Sequence, residues 1–309
     1  MTGKVEYSQG YRKTLLGQTK GLLRRLDLKA RKRLGQHFLI DEEVLEKVAS
    51  AAELTPDEIV IEVGPGLGVL TRELAKQAGW VIAVELDDRL ASILEHTLAS
   101  AENVTVINKD ILKVAPVALL EEQKARLPLK KDNSVGYKVV ANLPYYITSP
   151  VLRHFLEASV KPRLMVVMVQ KEVAEAIVAE PGRMSLLSIS VQFYGEPEIV
   201  SHVPARCFYP SPEVDSAILR ITVYPRQVID VKDTDGFFKL VRAGFTAPRK
   251  QLANSLAQGL KLPKAEVLPL LEEAGIMYKR RAETLSLEEW QRLWQVFRRR
   301  HHANGSGAS

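Results

Sequence analysis

Among 309 residues there is one cysteine, Cys207. A lone thiol excludes an internal disulfide framework and any cysteine-rich zinc site, and makes a reducing, cytoplasmic setting the default expectation. No apolar run approaches the ~20 residues that span a bilayer. The opening MTGKVEYSQGYRK has no apolar stretch of the signal-peptide kind, so neither membrane insertion nor export is expected. Acidic residues are scarce at the start: residues 1–36 carry 10 Lys/Arg against 2 Asp/Glu, a charge of +8. Residues 37–224 reverse this with 18 against 26, and residues 225–300 return to 15 against 9. An acidic centre between basic flanks suits a polyanionic partner, of which nucleic acid is the commonest, or simply a pair of solvated ends.

From Ile59 to Tyr224, short β-branched runs alternate with helical stretches. Strands are expected at Ile59–Val63, Trp80–Glu85, Val104–Asn108, Lys138–Ala141, Leu164–Val169 and Val214–Val223, with helices at Val69–Gln77, Asp88–Ala99 and Pro150–Ala158. Such alternation argues for a mostly parallel sheet covered on both faces. The last run, VDSAILRITVY, alternates over its length as an antiparallel edge strand does. Glu121–Gly136 is charged and reads as a surface excursion. Beyond Tyr224 the apolar residues fall at helical spacing, which predicts a small all-helical domain. There, Ser286 precedes Glu289 by three residues, a capping-box pattern, and Trp290 and Trp294 fall on one helix face as core. The end, HHANGSGAS, has the composition of a disordered tail.

VIEVGPGLGVLT places Gly64, Gly66 and Gly68 directly after the first strand. Glycine there permits a tight turn and a close approach of ligand to backbone. A dinucleotide site needs G-x-G-x-x-G, but Val69 holds the third required place. Instead, with Glu62 ahead of the loop, the stretch resembles motif I of S-adenosylmethionine-dependent methyltransferases. Glu85 ends the next strand, where a carboxylate can accept both ribose hydroxyls, and Asp110 after the third could reach an adenine amino group. Singly, such acids are commonly solvated caps. Three acids and three glycines at successive carboxyl ends of strands are a ligand site in an open α/β sheet.

NLPYYITSP follows the fourth strand, beside the same cleft. It resembles motif IV of amino-methyltransferases in the N-L-P-Y form of the rRNA adenine N6-dimethyltransferases. The exocyclic amine of adenine is a poor nucleophile because its lone pair is delocalised into the ring. The Asn142 side-chain oxygen and the Leu143 or Pro144 carbonyl could accept its hydrogens and free that lone pair for a sulfonium methyl. Pro144 fixes the backbone, and Tyr145 offers a face for the base, worth ~1–3 kcal/mol of stacking. No metal is called for. A cytosine C5-methyltransferase would need a cysteine where Asn142 stands.

RKRLGQHFLID (Arg31–Asp41), VQKEVAEAI, GRMSLLSISVQ, VPARCFYPSPEVDSAIL and KRRAETLSLEEWQRL are similar to motifs of the bacterial small-subunit rRNA adenine dimethyltransferases, and the likeness covers roughly residues 31–296. It implies a Rossmann-like class I methyltransferase sheet over residues 31–224 and a smaller, RNA-binding all-α domain over 225–300. A basic extension (1–30) and the tail (301–309) flank them. It further implies a cofactor site of Gln36, His37, Leu39, Glu62, Gly64, Gly66, Gly68, Glu85, Leu86, Asp110, Ile111 and Asn142. Phe208 would face the adenine opposite Tyr145, beside the catalytic Asn142–Tyr145 stretch. Arg31, Lys32, Arg33, Arg249 and Lys250 would meet RNA, although Pro248 replaces the family's first arginine in FTAPRKQLANSL. The implied activity is dimethylation of two adjacent adenines in a hairpin loop near the 3′ end of small-subunit rRNA. The implied partner is the immature 30S subunit, met by a monomer. The macrolide-resistance large-subunit methyltransferases and a non-catalytic ribosome-assembly factor are the alternatives.

Overall fold

The computed structural model describes residues 14–27, 30–31, 35–123, 125, 136–226, 229 and 231–305, with side chains through Arg300. Lys32, Arg33 and most of the expected charged excursion lie outside the described residues. The chain opens with α1 (Leu15–Arg25), β1 (Phe38–Leu39) and α2 (Glu42–Ala51). It then runs β2 (Ile59–Val63), α3 (Val69–Ala75), β3 (Trp80–Glu85), α4 (Asp88–Thr97), β4 (Val104–Asn108), α5 (Pro116–Gln123), β5 (Tyr137–Asn142), α6 (Thr148–Leu156) and β6 (Leu164–Gln170). After α7 (Lys171–Ile177) and α8 (Leu186–Gln192) come β7 (Gly195–Val203), β8 (Phe208–Tyr209) and β9 (Ser216–Val223). Four helices close the chain: α9 (Thr234–Gly244), α10 (Leu252–Leu260), α11 (Lys264–Glu273) and α12 (Leu287–Gly305).

Seven strands form one sheet in the order β4-β3-β2-β5-β6-β9-β7. The first five run parallel; β9 is antiparallel to both β6 and β7. This is the mostly parallel α/β sheet expected from the strand–helix alternation. Every residue of β2 is buried, as a strand covered on both faces requires. The period of two divides each central strand between two cores. Ile59, Ile61, Val139 and Val167 belong to one, and Val60, Val140 and Val166 to the other.

Two expectations are corrected. β9 is antiparallel but internal, with Met168 opposite Ile218 on one side and Val203 opposite Ser216 on the other. The edge is β7, GEPEIVSHV, whose inner residues alternate between exposed and half-buried and include Pro197, which an edge strand tolerates; with so few apolar residues it carries little strand signal. At the C-terminus, residues 301–305 continue α12 instead of starting a tail. Each further helical residue adds a backbone hydrogen bond to a turn already nucleated, which outweighs weak local composition.

The C-terminal helices are not detached from the sheet. The first core continues through Phe193 into Phe237 and Phe238, with ring centroids 5.3 and 5.1 Å from Phe193. Trp290 is fully buried and Trp294 nearly so. A Cβ on Gly244 would come within 2.3 Å of the Trp290 ring, so only glycine allows α9 that close. The capping box forms reciprocally: Glu289 N–H donates to Ser286 Oγ (3.3 Å) and Ser286 N–H to the Glu289 carboxylate (3.0 Å).

Candidate active site

A cleft of about 270 Å³ opens at the carboxyl ends of β2, β3, β4 and β5. It is the place where an open parallel sheet leaves a crevice between diverging connections.

Its floor is the glycine loop. Gly64, Gly66 and Gly68 all have positive φ (67°, 60° and 74°), which a side chain rarely adopts. A Cβ on Gly66 would sit 3.3 Å from the Phe38 ring. One on Gly68 would meet Leu94 at 2.7 Å. Gly68 therefore lies behind the loop, packing α3 against α4, and does not line the cleft; Gly64 and Gly66 do. Arg72 holds the loop from below, its guanidinium donating to the Leu67 and Gly68 carbonyls (3.2 and 3.1 Å).

Two buried carboxylates face this floor. Glu85 spends one bond of each oxygen on backbone, accepting from Gly66 N–H (3.0 Å) and Asp87 N–H (2.9 Å). Each oxygen keeps acceptor capacity for a ligand. Glu62 is 1% exposed, and its Oε2 has no hydrogen-bond partner among the described residues. Burial pushes its pKa up to about 8; the Thr71 hydroxyl, near but outside hydrogen-bond geometry, opposes the shift and Glu85 adds to it. Burial also raises Glu85 above the usual carboxylate range. A buried acceptor without a donor is a costly arrangement, and a cationic ligand relieves it.

Asp110 caps the short turn after β4, accepting from Leu112 N–H at 3.1 Å, and lines the cleft beside Ile111. Leu86, half exposed, lines it at the mouth. Gln36, His37 and Leu39 reach it from the segment before α2. Asp87 was not anticipated. It caps α4, accepts from Gln36 Nε2 (3.2 Å), and pairs with Arg31 at 3.2 Å. The signal was available in the run ELDD, where an acid two places beyond Glu85 reads as a helix cap. Arg31 thus braces the glycine-loop side of the cleft. The helix α1 braces it too, because Leu23 packs with Phe38, Leu67 and Leu90, and those three line the cleft.

The far wall is the Asn142–Ile147 segment. Asn142 Nδ2 donates to the His37 carbonyl at 2.9 Å. Pro144 C=O already accepts one bond, from Ile147 N–H (3.1 Å), whereas Leu143 C=O accepts none from the backbone of the described residues, which makes it the less committed acceptor beside the Asn142 amide. Tyr145 hydroxyl bonds Ser216 Oγ at 2.7 Å, and its ring stacks on His37 with centroids 6.0 Å apart at 20°. His37 is held in turn, because its Nδ1 donates to the Pro210 carbonyl at 2.7 Å.

Phe208 is not where the resemblance placed it. It is 3% exposed, within the core beside Leu39 and Cys207, and outside the cleft. β1 and β8 pair antiparallel, Leu39 opposite Phe208 and Phe38 opposite Tyr209. Alternation then turns Phe208 into the core while Tyr209 joins Phe38 and Leu67. The aromatic facing Tyr145 is His37. Arg249 and Lys250 are exposed in the α9–α10 connection, and neither makes an ion pair among the described residues.

The family model described as ribosomal RNA adenine dimethylase matches residues 27–298. A "Ribosomal RNA small subunit methyltransferase A" of Dehalococcoides mccartyi is 53% identical over 284 residues, covering 92% of this chain and 94% of its own. A protein of the same name from Moorella thermoacetica is 45% identical over 280 residues, covering 89% and 94%. Among solved structures, a dimethyladenosine transferase from Plasmodium falciparum superposes with a TM-score of 0.71 at 25% identity, over 86% of this chain and 98% of that one. The 23S rRNA methyltransferase ErmE does so at 0.64 and 32% identity, over 84% and 98%.

Proposed function

Since the chain belongs to the ribosomal RNA adenine dimethylase family, we propose that it is an S-adenosylmethionine-dependent methyltransferase of small-subunit rRNA, dimethylating N6 of two adjacent adenines in a 3′-terminal hairpin loop. Relatives named for the small subunit reach 54% identity, against 32% for the large-subunit enzyme, and that difference favours the small subunit. The observation that carries the chemistry is the Asn142 amide, whose donor end is tied to the His37 carbonyl at 2.9 Å. Its oxygen is thereby turned to accept.

Bound S-adenosylmethionine supplies a methyl group made electrophilic by a positively charged sulfur. Glu85 would take its ribose hydroxyls and Asp110 its adenine. The glycine loop gives the amino-acid portion backbone contact, and the partnerless Glu62 oxygen supplies a counter-charge for its ammonium. Asn142 Oδ1 and Leu143 C=O receive the hydrogens of the adenine amine, which holds nitrogen's lone pair out of conjugation with the ring. Tyr145, fixed by Ser216 and stacked on His37, presents its ring edge and free area to the base. A loop adenine is already partly unstacked, so drawing it into the cleft costs less than opening a duplex.

Residues 31–224 form the catalytic unit in this reading. Residues 225–300, with exposed Arg249 and Lys250, form an RNA-binding unit that docks the enzyme on the immature 30S subunit. The enzyme works as a cytoplasmic monomer. No described helix is long and apolar enough to cross a membrane.

Tritiated-methyl transfer onto small subunits lacking the modification, followed by mass spectrometry of the RNA, tests this. Dimethyladenosine at two neighbouring positions is the expected product. Label found only on large-subunit RNA would move the assignment to the macrolide-resistance class, and background incorporation would leave a non-catalytic assembly factor.

A further inference from the structure

The second tyrosine of NLPYYITSP has no part in the chemistry above. Tyr145 and Tyr146 occupy consecutive places in a 3₁₀ turn, Tyr145–Ile147. At three residues per turn, successive side chains leave the axis about 120° apart. Tyr145 goes inward, to Ser216 and His37. Tyr146 goes to the mouth of the same cleft, where it lines the opening yet is 54% exposed. The Gly35 loop lies beside the ring. A Cβ on Gly35 would be 3.5 Å from Tyr146 Cδ1 and 3.4 Å from Pro144 Cβ, and Gly35 holds φ +59°. Much of the ring's surface faces solvent. The exposed ring stands at the cleft mouth, one residue from the inward Tyr145, so it is open to a chain that enters the cleft.

We propose that Tyr146 is a stacking platform for the unpaired nucleotide next to the adenine held at Tyr145. This rests on the rRNA reading above. Bases of single-stranded RNA stack on aromatic side chains with little regard to sequence. Two rings one residue apart at one opening fit two neighbouring bases, one inside and one at the rim. Tyr146 is a positioning residue here; it holds the loop and does not touch the reacting nitrogen.

The test is steady-state methyl transfer onto unmodified small subunits, comparing wild type with Tyr146→Ala, Tyr146→Phe and Tyr146→Trp. Tyr146→Ala should raise KM for subunits about tenfold, the lower part of the range for a lost base–aromatic stack. Its Kd for S-adenosylhomocysteine and its Tm should match wild type. Tyr146→Phe and Tyr146→Trp should keep the wild-type KM, because the ring and not the hydroxyl does the work. A Tyr146→Ala KM within twofold of wild type overturns the proposal. So does failure of Tyr146→Phe to restore KM, or a loss in Tyr146→Ala that follows weakened cofactor binding. Wild-type enzyme inactive on every ribosomal RNA overturns the rRNA reading and this proposal together; active wild type with an indifferent Tyr146→Ala overturns this proposal alone.

Discussion

Asn142 donates through Nδ2 to the main-chain carbonyl of His37, 105 residues earlier in the chain, at 2.9 Å. That bond joins the end of β5 to the strap before α2 and fixes which end of the amide is left free. Replacing the donor with a second oxygen, as in Asn142→Asp, sets a carboxylate against a carbonyl.

Asn142→Ala should lower the rate of the first methyl transfer by about 10²–10³, the usual effect of removing one preorganised polar group from a reaction centre. The second transfer should suffer less, because a singly methylated amine keeps one N–H and cannot fill both acceptors. Single-turnover rates for each step check this. A second step slowed far more than the first would contradict it.

Tyr145→Phe removes only the bond to Ser216 Oγ and should cost about 0.5–1.5 kcal/mol in kcat/KM for RNA, up to roughly tenfold. Tyr145→Ala also removes the stacking ring and should fall well below Tyr145→Phe. Initial rates on unmodified subunits distinguish the two. Equal losses would mean that the hydroxyl, not the ring, is what the base meets.

In the proposed reading, Glu62 links cofactor affinity to pH. With its pKa raised to about 8 in the ligand-free protein, the carboxyl is mostly protonated at pH 7. A cationic ligand favours the carboxylate, so binding releases a proton below pH 8. Affinity for S-adenosylmethionine should rise with pH up to about 8 and then level. Without ligand the sign for stability is the opposite. The folded state holds a proton that the unfolded chain loses near 4.5, so this group's contribution declines from there up to its folded pKa. Calorimetric titration at pH 7 in buffers of different ionisation enthalpy should show proton release in wild type and none in Glu62→Gln. Identical proton counts would remove Glu62 from the cofactor's charge balance.

Local patterns made much of this legible. The glycine loop, Glu85, Asp110 and Asn142 each sit at a strand's carboxyl end, so counting strands was enough to bring them together. What escaped depended on pairings between distant segments. The placing of β9 between β6 and β7 depends on a polar edge strand whose own pattern is weak. Phe208 turned inward because the two-residue β1–β8 ladder fixes its parity, and nothing within CFYPSP reveals that ladder. The resemblance implies an RNA contact for Arg31, and no local pattern shows that it also pairs with Asp87 across the fold. Motif resemblance names the residues near a site; long-range hydrogen bonds decide which way they face.

The closing signature KRRAETLSLEEW is a stability device, and its test is separate from catalysis. Arg280 donates to both carboxylate oxygens of Glu289, whose other duty is to cap α12 through Ser286 N–H at 3.0 Å. The pair is only 25% and 18% exposed, so removing the guanidinium strands a partly desolvated carboxylate. Arg280→Ala should therefore destabilise by about 2 kcal/mol, between the values for exposed and fully buried pairs. That corresponds to a Tm lower by roughly 4–8 °C. Arg280 donation holds the Glu289 carboxyl below its ordinary range. Such a depressed group contributes its stability above the unfolded value of 4.5 and loses it as pH falls through the folded one. The Tm gap between wild type and Arg280→Ala should be full at pH 7 and close as acid protonates Glu289. Glu289→Gln, which keeps a capping side chain at the third helical position, should lose the pH dependence while retaining more of the helix. A gap that stays constant from pH 7 to pH 3 would show that Arg280 acts by packing and not by pairing with Glu289.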